Sequence, residues 1–228
     1  MSIYAIGDLH LSVAAKKPMD IFDGWEDHAE KLIENWKKNI SGEDTVILAG
    51  DTSWGLTLPQ ALPDFRLIHN LPGQKILLKG NHDYWWASTS KLMACFEENG
   101  LDTLRILHNN SYFVEGVYIC GSRGWMFESG EPHDDKIIRR EGLRIEASLR
   151  STGDGKGERV LFLHYPPAYA GQVQEPFLAL MHKYRIKRCY YGHIHGTGHK
   201  YAIQGNFRGV KLNMIASDYI QFNPVLVR

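Results

Sequence analysis

Seven short apolar runs, residues 3–6, 45–49, 75–78, 117–120, 160–163, 188–191 and 211–216, set the tightest limit on how this 228-residue chain can fold. Each is rich in β-branched residues and lacks the polar alternation of a half-solvated strand, which predicts strands buried on both faces. Between the first two runs, Trp25, Ala29, Leu32, Ile33, Trp36 and Ile40 keep helical spacing while Lys and Glu fill the other face, so residues 24–40 are expected to be a helix. Helical patterns also cover residues 88–99, closed by Gly100, and residues 134–150. Strands alternating with helices indicate an α/β architecture. The later half adds strand-like pieces at residues 104–108, 112–114 and 199–204, pointing to a second sheet or an antiparallel edge. The TGDGKG stretch at residues 152–157 is a surface loop, and no repeat or composition break divides residues 1–228, which are expected to form a single domain.

Five of the runs deliver chemistry at their carboxyl ends. Residues 3–6 lead into Gly7-Asp8-Leu9-His10, residues 45–49 into Gly50-Asp51, and residues 75–78 into Gly80-Asn81-His82-Asp83. Residues 160–163 deliver His164, and residues 188–191 deliver Gly192-His193-Ile194-His195. In open α/β sheets such ends converge on one crevice. In extended backbone, residues i and i+2 point the same way, so Asp8 and His10 can grip one ion, and His193 with His195 can do the same. Carboxylate, imidazole and amide oxygen without thiolate suit Mn, Fe, Zn or Ni better than a soft-metal centre. A lone DxH or Asn-His-Asp would be an ordinary structural feature; five clusters at five strand ends are not.

The ordered motifs GDLH, GDTSW, GNHD, LFLHYPP and YGHIHG, spanning Gly7 to Gly196, resemble the calcineurin-like metallophosphoesterases. The resemblance implies a four-layer α/β/β/α sandwich with two mixed sheets and a two-metal site. It also implies that Asp8, His10 and His195 hold one metal, that Asn81, His164 and His193 hold the other, and that Asp51 bridges them. His82 would face the substrate as the catalytic residue and Asp83 would orient it. Two divalent ions could then hold a bridging hydroxide that attacks a phosphoester, so a metal-dependent phosphohydrolase acting on a small monoester or diester is expected.

The second motif departs from a common form of the pattern by placing Trp54 where many relatives have an acidic residue, Asn or His. Trp54, Tyr84, Trp85 and Trp86 follow motif residues closely and serve either as packing under the loops or as an aromatic wall for the substrate. Arg123, in GSRGWMF, is either a bidentate phosphate fork or one side of an ion pair. Glu131, Asp134 and Asp135 either line the mouth or favour a helix N-terminus. His28, His69, His108, His133, His182 and His199 lie outside the motifs and are expected in surface or satisfied core roles.

Charge selects among the partners. With 26 Lys+Arg against 26 Asp+Glu the formal net charge is +0, which argues against a surface built to coat nucleic acid or an anionic membrane. A small phosphorylated substrate is expected in place of an extended polyanion; a nuclease is the alternative within the enzyme class, and a metal-bound, non-catalytic interaction scaffold the alternative outside it. Cys95, Cys120 and Cys189 lack CxxC spacing, the first ten residues carry no basic leader pattern, and no apolar run approaches a membrane span, so free thiols and a cytoplasmic location are expected.

Overall fold

A computed structural model of the chain describes residues 1–126 and 135–228. The first half alternates β1 (Ile3–Ile6), α1 (His28–Asn39), β2 (Thr45–Leu48), α2 (Leu58–His69), β3 (Gln74–Leu77), α3 (Thr89–Glu98) and β4 (Leu104–Ile106). The second contains β5 (Ser111–Val114), β6 (Val117–Ser122), α4 (Asp135–Arg150), β7 (Glu158–Leu163), β8 (Ala168–Tyr169), β9 (Gln172–Val173), α5 (Glu175–Lys183), β10 (Arg188–Tyr191), β11 (Gly205–Phe207), β12 (Val210–Met214) and β13 (Val225–Leu226). Two large sheets result, ordered β13-β1-β2-β3-β4 and β11-β12-β10-β7-β6-β5. Both are mixed: β1 to β4 run parallel with β13 antiparallel at the edge, and β6, β7, β10 and β12 run parallel between antiparallel β5 and β11.

The apolar residues sort into three layers of packing, which make the four-layer α/β/β/α arrangement. Ile3, Ala5, Ile47, Ile76, Ile119, Val160 and Phe162 belong to one buried cluster, the interior where the sheets face each other. The alternate residues of the first sheet, such as Ile6, Val46, Leu48 and Leu77, pack with Leu32 and Trp36 of α1, Phe65 of α2 and Phe96 of α3. Leu161, Leu163 and Tyr191 of the second sheet pack with Ile145 of α4 and Phe177 of α5. Both faces of each central strand are therefore covered, which is why the strands read as continuous apolar runs. Cys120 and Cys189 are buried free thiols. Among the described residues no helix is long and apolar enough to cross a membrane.

Several local expectations change. The first helix begins at His28, because Asp27 takes the left-handed conformation at φ 50 and ends any helical continuation from Gly24. Residues 104–106 join the first sheet as its parallel edge, while residues 111–114 supply the antiparallel edge of the second. Residues 199–204 are not a strand: Gly196–Tyr201 form a 3-10 helix. Helix α2, with Pro59 in its first turn and Pro63 within it, was hidden by those two prolines.

The two sheets are stitched together where β1 ends. The Gly7 amide donates to the Ile215 carbonyl at 2.8 Å, the Ser217 amide donates to the Gly7 carbonyl at 3.1 Å, and Gly7 pairs in parallel with Ala216 just past β12. Directly after this stitch, the Asp8 and His10 amides donate to the carbonyls of Gly50 and Asp51, each at 2.9 Å. The first two motifs thus run side by side above the seam.

Candidate metal centre

Adjacent strands β1, β2 and β3 of one sheet deliver Asp8, His10, Asp51 and Asn81, and adjacent strands β7 and β10 of the other deliver His164, His193 and His195. All seven meet. Asp8, His10 and His195 form one group of potential metal donors: His195 Nε2 lies 3.4 Å from His10 Nε2 and 3.5 Å from Asp8 Oδ1. In a second group, Asn81 Oδ1 lies 2.5 Å from His164 Nε2 and 3.0 Å from His193 Nδ1, with the two imidazole nitrogens 3.3 Å apart. Asp51 Oδ2 stands between them, 3.9 Å from His10 Nε2 and 3.5 Å from His164 Nε2.

The local backbone is unlike the extended geometry expected from i, i+2 spacing. Asp8, His10, Asp51 and His193 have φ of 60, 46, 50 and 72, in the left-handed region. Leu9 and Ile194 are buried as anticipated, but His193 and His195 diverge into different donor groups. Two glycines are sterically required: a Cβ on Gly80 would overlap the Asp51 carboxylate, and one on Gly192 would overlap that of Asp8.

The electrostatics fit a cation. Burial lowers the His164 imidazole to about 3, and burial also holds His10 and His193 well below the usual imidazole range, so all three are neutral lone-pair donors. Burial, aided by the charges of Asp83 and Asp8, raises the Asp51 carboxyl well above its ordinary value. Asp8, Asp51 and Asp83 are buried together, and among the described residues none of them pairs with a Lys or Arg. Crowded carboxylates facing neutral imidazoles are the donor set that hard or borderline divalent ions take.

Hydrogen bonds fix which nitrogen two of the histidines present. His164 Nδ1 lies 3.0 Å from the Ala49 carbonyl, leaving Nε2 for the centre. His195 Nδ1 lies 2.8 Å from Asp218 Oδ1, again leaving Nε2. Burial opposes a charge on His195, yet its bonds to Asp218 and Asp8 prevail and push it up to about 10. Asp218, which also approaches His199 Nε2 at 3.2 Å, was not anticipated from sequence. Its signal was there: Ser217-Asp218 follow the last apolar run in the manner of the other motifs.

His82 faces this centre on the His10 side. Its amide donates to Asp51 Oδ1 at 2.8 Å, its ring centroid lies 4.6 Å from Trp54, and its Nδ1 has no hydrogen-bond partner among the described residues. Burial, then the Lys17 charge, lowers its pKa. Asp83 does not reach that ring as expected. Its carboxylate accepts from the amides of Gly80 at 2.7 Å, Asp51 at 3.0 Å and Thr52 at 2.9 Å, so it ties the second and third motif loops together through backbone. Burial still raises it to about 6.

The aromatic cluster divides. Trp54 packs over His10 at 4.8 Å, Tyr84 is 60% exposed beside His82, Trp85 is buried against Phe65, and Trp86 packs on Trp85. Arg123 turns toward Glu141, its guanidinium 3.6 Å from that buried carboxylate, while its carbonyl accepts the amides of His164 and Tyr165. Asp135 opens α4; Glu131, His133 and Asp134 lie outside the described residues.

A family model described as calcineurin-like phosphoesterase matches residues 1–197. The gene 66 protein of Mycobacterium phage D29 is 37% identical over 82 residues, 36% of this chain, and that match spans only 40% of the phage protein's own length. Among solved structures, TT1561 of Thermus thermophilus superposes with a TM-score of 0.56 at 15% identity, over 85% of this chain and 81% of that one. The protein of unknown function AQ665 from Aquifex aeolicus gives a TM-score of 0.49 at 18% identity, over 99% of this chain and 95% of that one.

Proposed function

Because the chain belongs to the calcineurin-like phosphoesterase family, we propose that it is a metal-dependent phosphohydrolase that cleaves a small phosphoester at the Asp8–His195 cluster. The observation that carries this reading is the convergence of two donor groups on one carboxylate oxygen, Asp51 Oδ2, which lies within 3.9 Å of a histidine nitrogen from each. Asp8, His10 and His195 would hold one divalent ion, Asn81, His164 and His193 the other, and Asp51 would belong to both. Two such ions, when bound, supply a water of lowered pKa and neutralise charge on the phosphoryl oxygens.

The chain's own residues do the rest. His82, anchored by its amide on Asp51, donates a hydrogen bond that strengthens as the leaving oxygen becomes negative. Asp83 keeps the loops of Asp51 and His82 at a fixed separation through four backbone amides. Trp25 and Trp54 pack on His10 and hold its ring in place at the edge of the centre.

The test is turnover by Mn²⁺-loaded protein of an aryl phosphomonoester and an aryl phosphodiester; hydrolysis of neither rejects the reading. His82→Ala is expected to keep its metal, measured by calorimetric titration, and to lose about 10²- to 10⁴-fold in turnover. Asp51→Ala is expected to lose metal. Equal metal loss in both variants would reject the division of roles.

A further inference from the structure

The segment between Leu11 and α1 forms neither helix nor strand of its own, yet it is held in place. The Val13 amide donates to buried Asp64 at 2.8 Å, and the Ser12 hydroxyl closes the loop on the Lys17 amide and carbonyl, both at 2.9 Å. The Trp54 indole N–H points at Met19 Sδ, 3.2 Å away, and the Lys17 ammonium sits 3.2 Å over the Trp54 ring. This anchored segment faces the His10 side of the metal centre across a cleft of about 460 Å³, into which His10, His82 and His195 open. Small-molecule sites occupy roughly 300–1,000 Å³, so the space suits an organic group.

We propose that this cleft is the subsite for the alcohol half of the substrate and selects a neutral alcohol that carries an aromatic or heteroaromatic ring. The proposal rests on the phosphohydrolase reading, in which the leaving oxygen departs beside His82, the residue with which the cleft is continuous. Three observations give the occupant its chemistry. The walls contributed by Met19, Phe22, Trp25 and Trp54 are apolar, and Phe22 remains 50% exposed, a large ring without a full packing partner. Trp54 is already engaged by His10 and Lys17, so Phe22 is the surface on which an incoming ring stacks. Asp23 is the charged loop residue that lines the cleft, while Lys17 is held over the Trp54 ring; the Asp23 carboxylate disfavours an anionic leaving group and offers, with Thr197, a hydrogen-bonding handle to a neutral one.

The experiment compares kcat/KM of Mn²⁺-loaded protein for benzyl phosphate and ethyl phosphate. Both release primary alcohols of similar acidity, so their ratio reports recognition of the ring. Benzyl phosphate is expected to be preferred at least about tenfold, with 4-carboxybenzyl phosphate well below benzyl phosphate. Phe22→Ala is expected to reduce the benzyl-to-ethyl ratio several-fold, and Thr197→Trp, which fills the cleft, to erase it; Asp23→Asn is expected to narrow the gap between the benzyl and 4-carboxybenzyl esters. Equal kcat/KM for the benzyl and ethyl esters, or a ratio unmoved by either Phe22→Ala or Thr197→Trp, overturns the proposal. The two readings fail separately. No turnover of ethyl, benzyl or p-nitrophenyl phosphate removes the phosphohydrolase assignment, whereas the subsite is then judged by calorimetry, and benzylphosphonate binding no tighter than ethylphosphonate removes it too.

Discussion

Asp8, His10, Asp51 and His193 hold left-handed backbone, a conformation that costs a non-glycine residue of order 1–3 kcal/mol where the surroundings impose it. Aspartate and histidine tolerate it better than branched residues do. The consequence is that each side chain swings off its strand axis toward the seam, so a donor group collects residues from different motifs. The i, i+2 spacing joined Asp8 with His10, which do share a group, but also His193 with His195, which do not, because spacing assumes an extended chain. Asp218 carried a signal in its place just after an apolar run, but its partner was not legible: it stands 23 positions after His195, and only the folded second sheet returns it to that ring. Asp218→Asn keeps an acceptor for His195 Nδ1 but removes the charge. It is expected to weaken Mn²⁺ binding about 10- to 100-fold in calorimetric titration. An unchanged affinity would deny Asp218 any part in positioning His195.

Among the elements, the central strands were legible because both of their faces are buried, whereas α2 and the Gly196–Tyr201 turn carried contrary local signals. A strand can also serve a helix. Lys75, fully buried on β3, sends its ammonium to the carbonyls of Leu71 and His69 at the end of α2, where a cation meets the negative end of the helix. Burial nevertheless lowers its pKa from 10.5 to about 8. Since the folded value lies below the unfolded one, the unfolded chain binds the proton more tightly between those limits. Stability is therefore expected to rise with pH across this window relative to Lys75→Met, a variant without the titrating group. Urea unfolding of both proteins from pH 7.5 to about 10.5 checks this, and a difference in stability that stays flat with pH contradicts it.

For the whole molecule, the seam matters most, because each sheet brings part of the donor set and neither brings all of it. Metal binding to the folded chain alone adds about 2.7 kcal/mol per site when the free ion exceeds Kd 100-fold, so two ions raise Tm by about 10–20 °C in a protein of this size. Treatment with a chelator is expected to lower the calorimetric transition by that amount and added Mn²⁺ to restore it; coincident transitions would mean that no ion bridges the sheets. His10 and His195, donors of one group, are 185 residues apart in the chain. An ion that uses that pair can be held only once β1 and β10 have been brought together, so metal capture is expected to come late in assembly. Refolding rates should be indifferent to Mn²⁺ while unfolding slows in its presence, a contrast that stopped-flow measurements resolve. Metal supply would then govern how long the folded chain persists and leave untouched how quickly it forms.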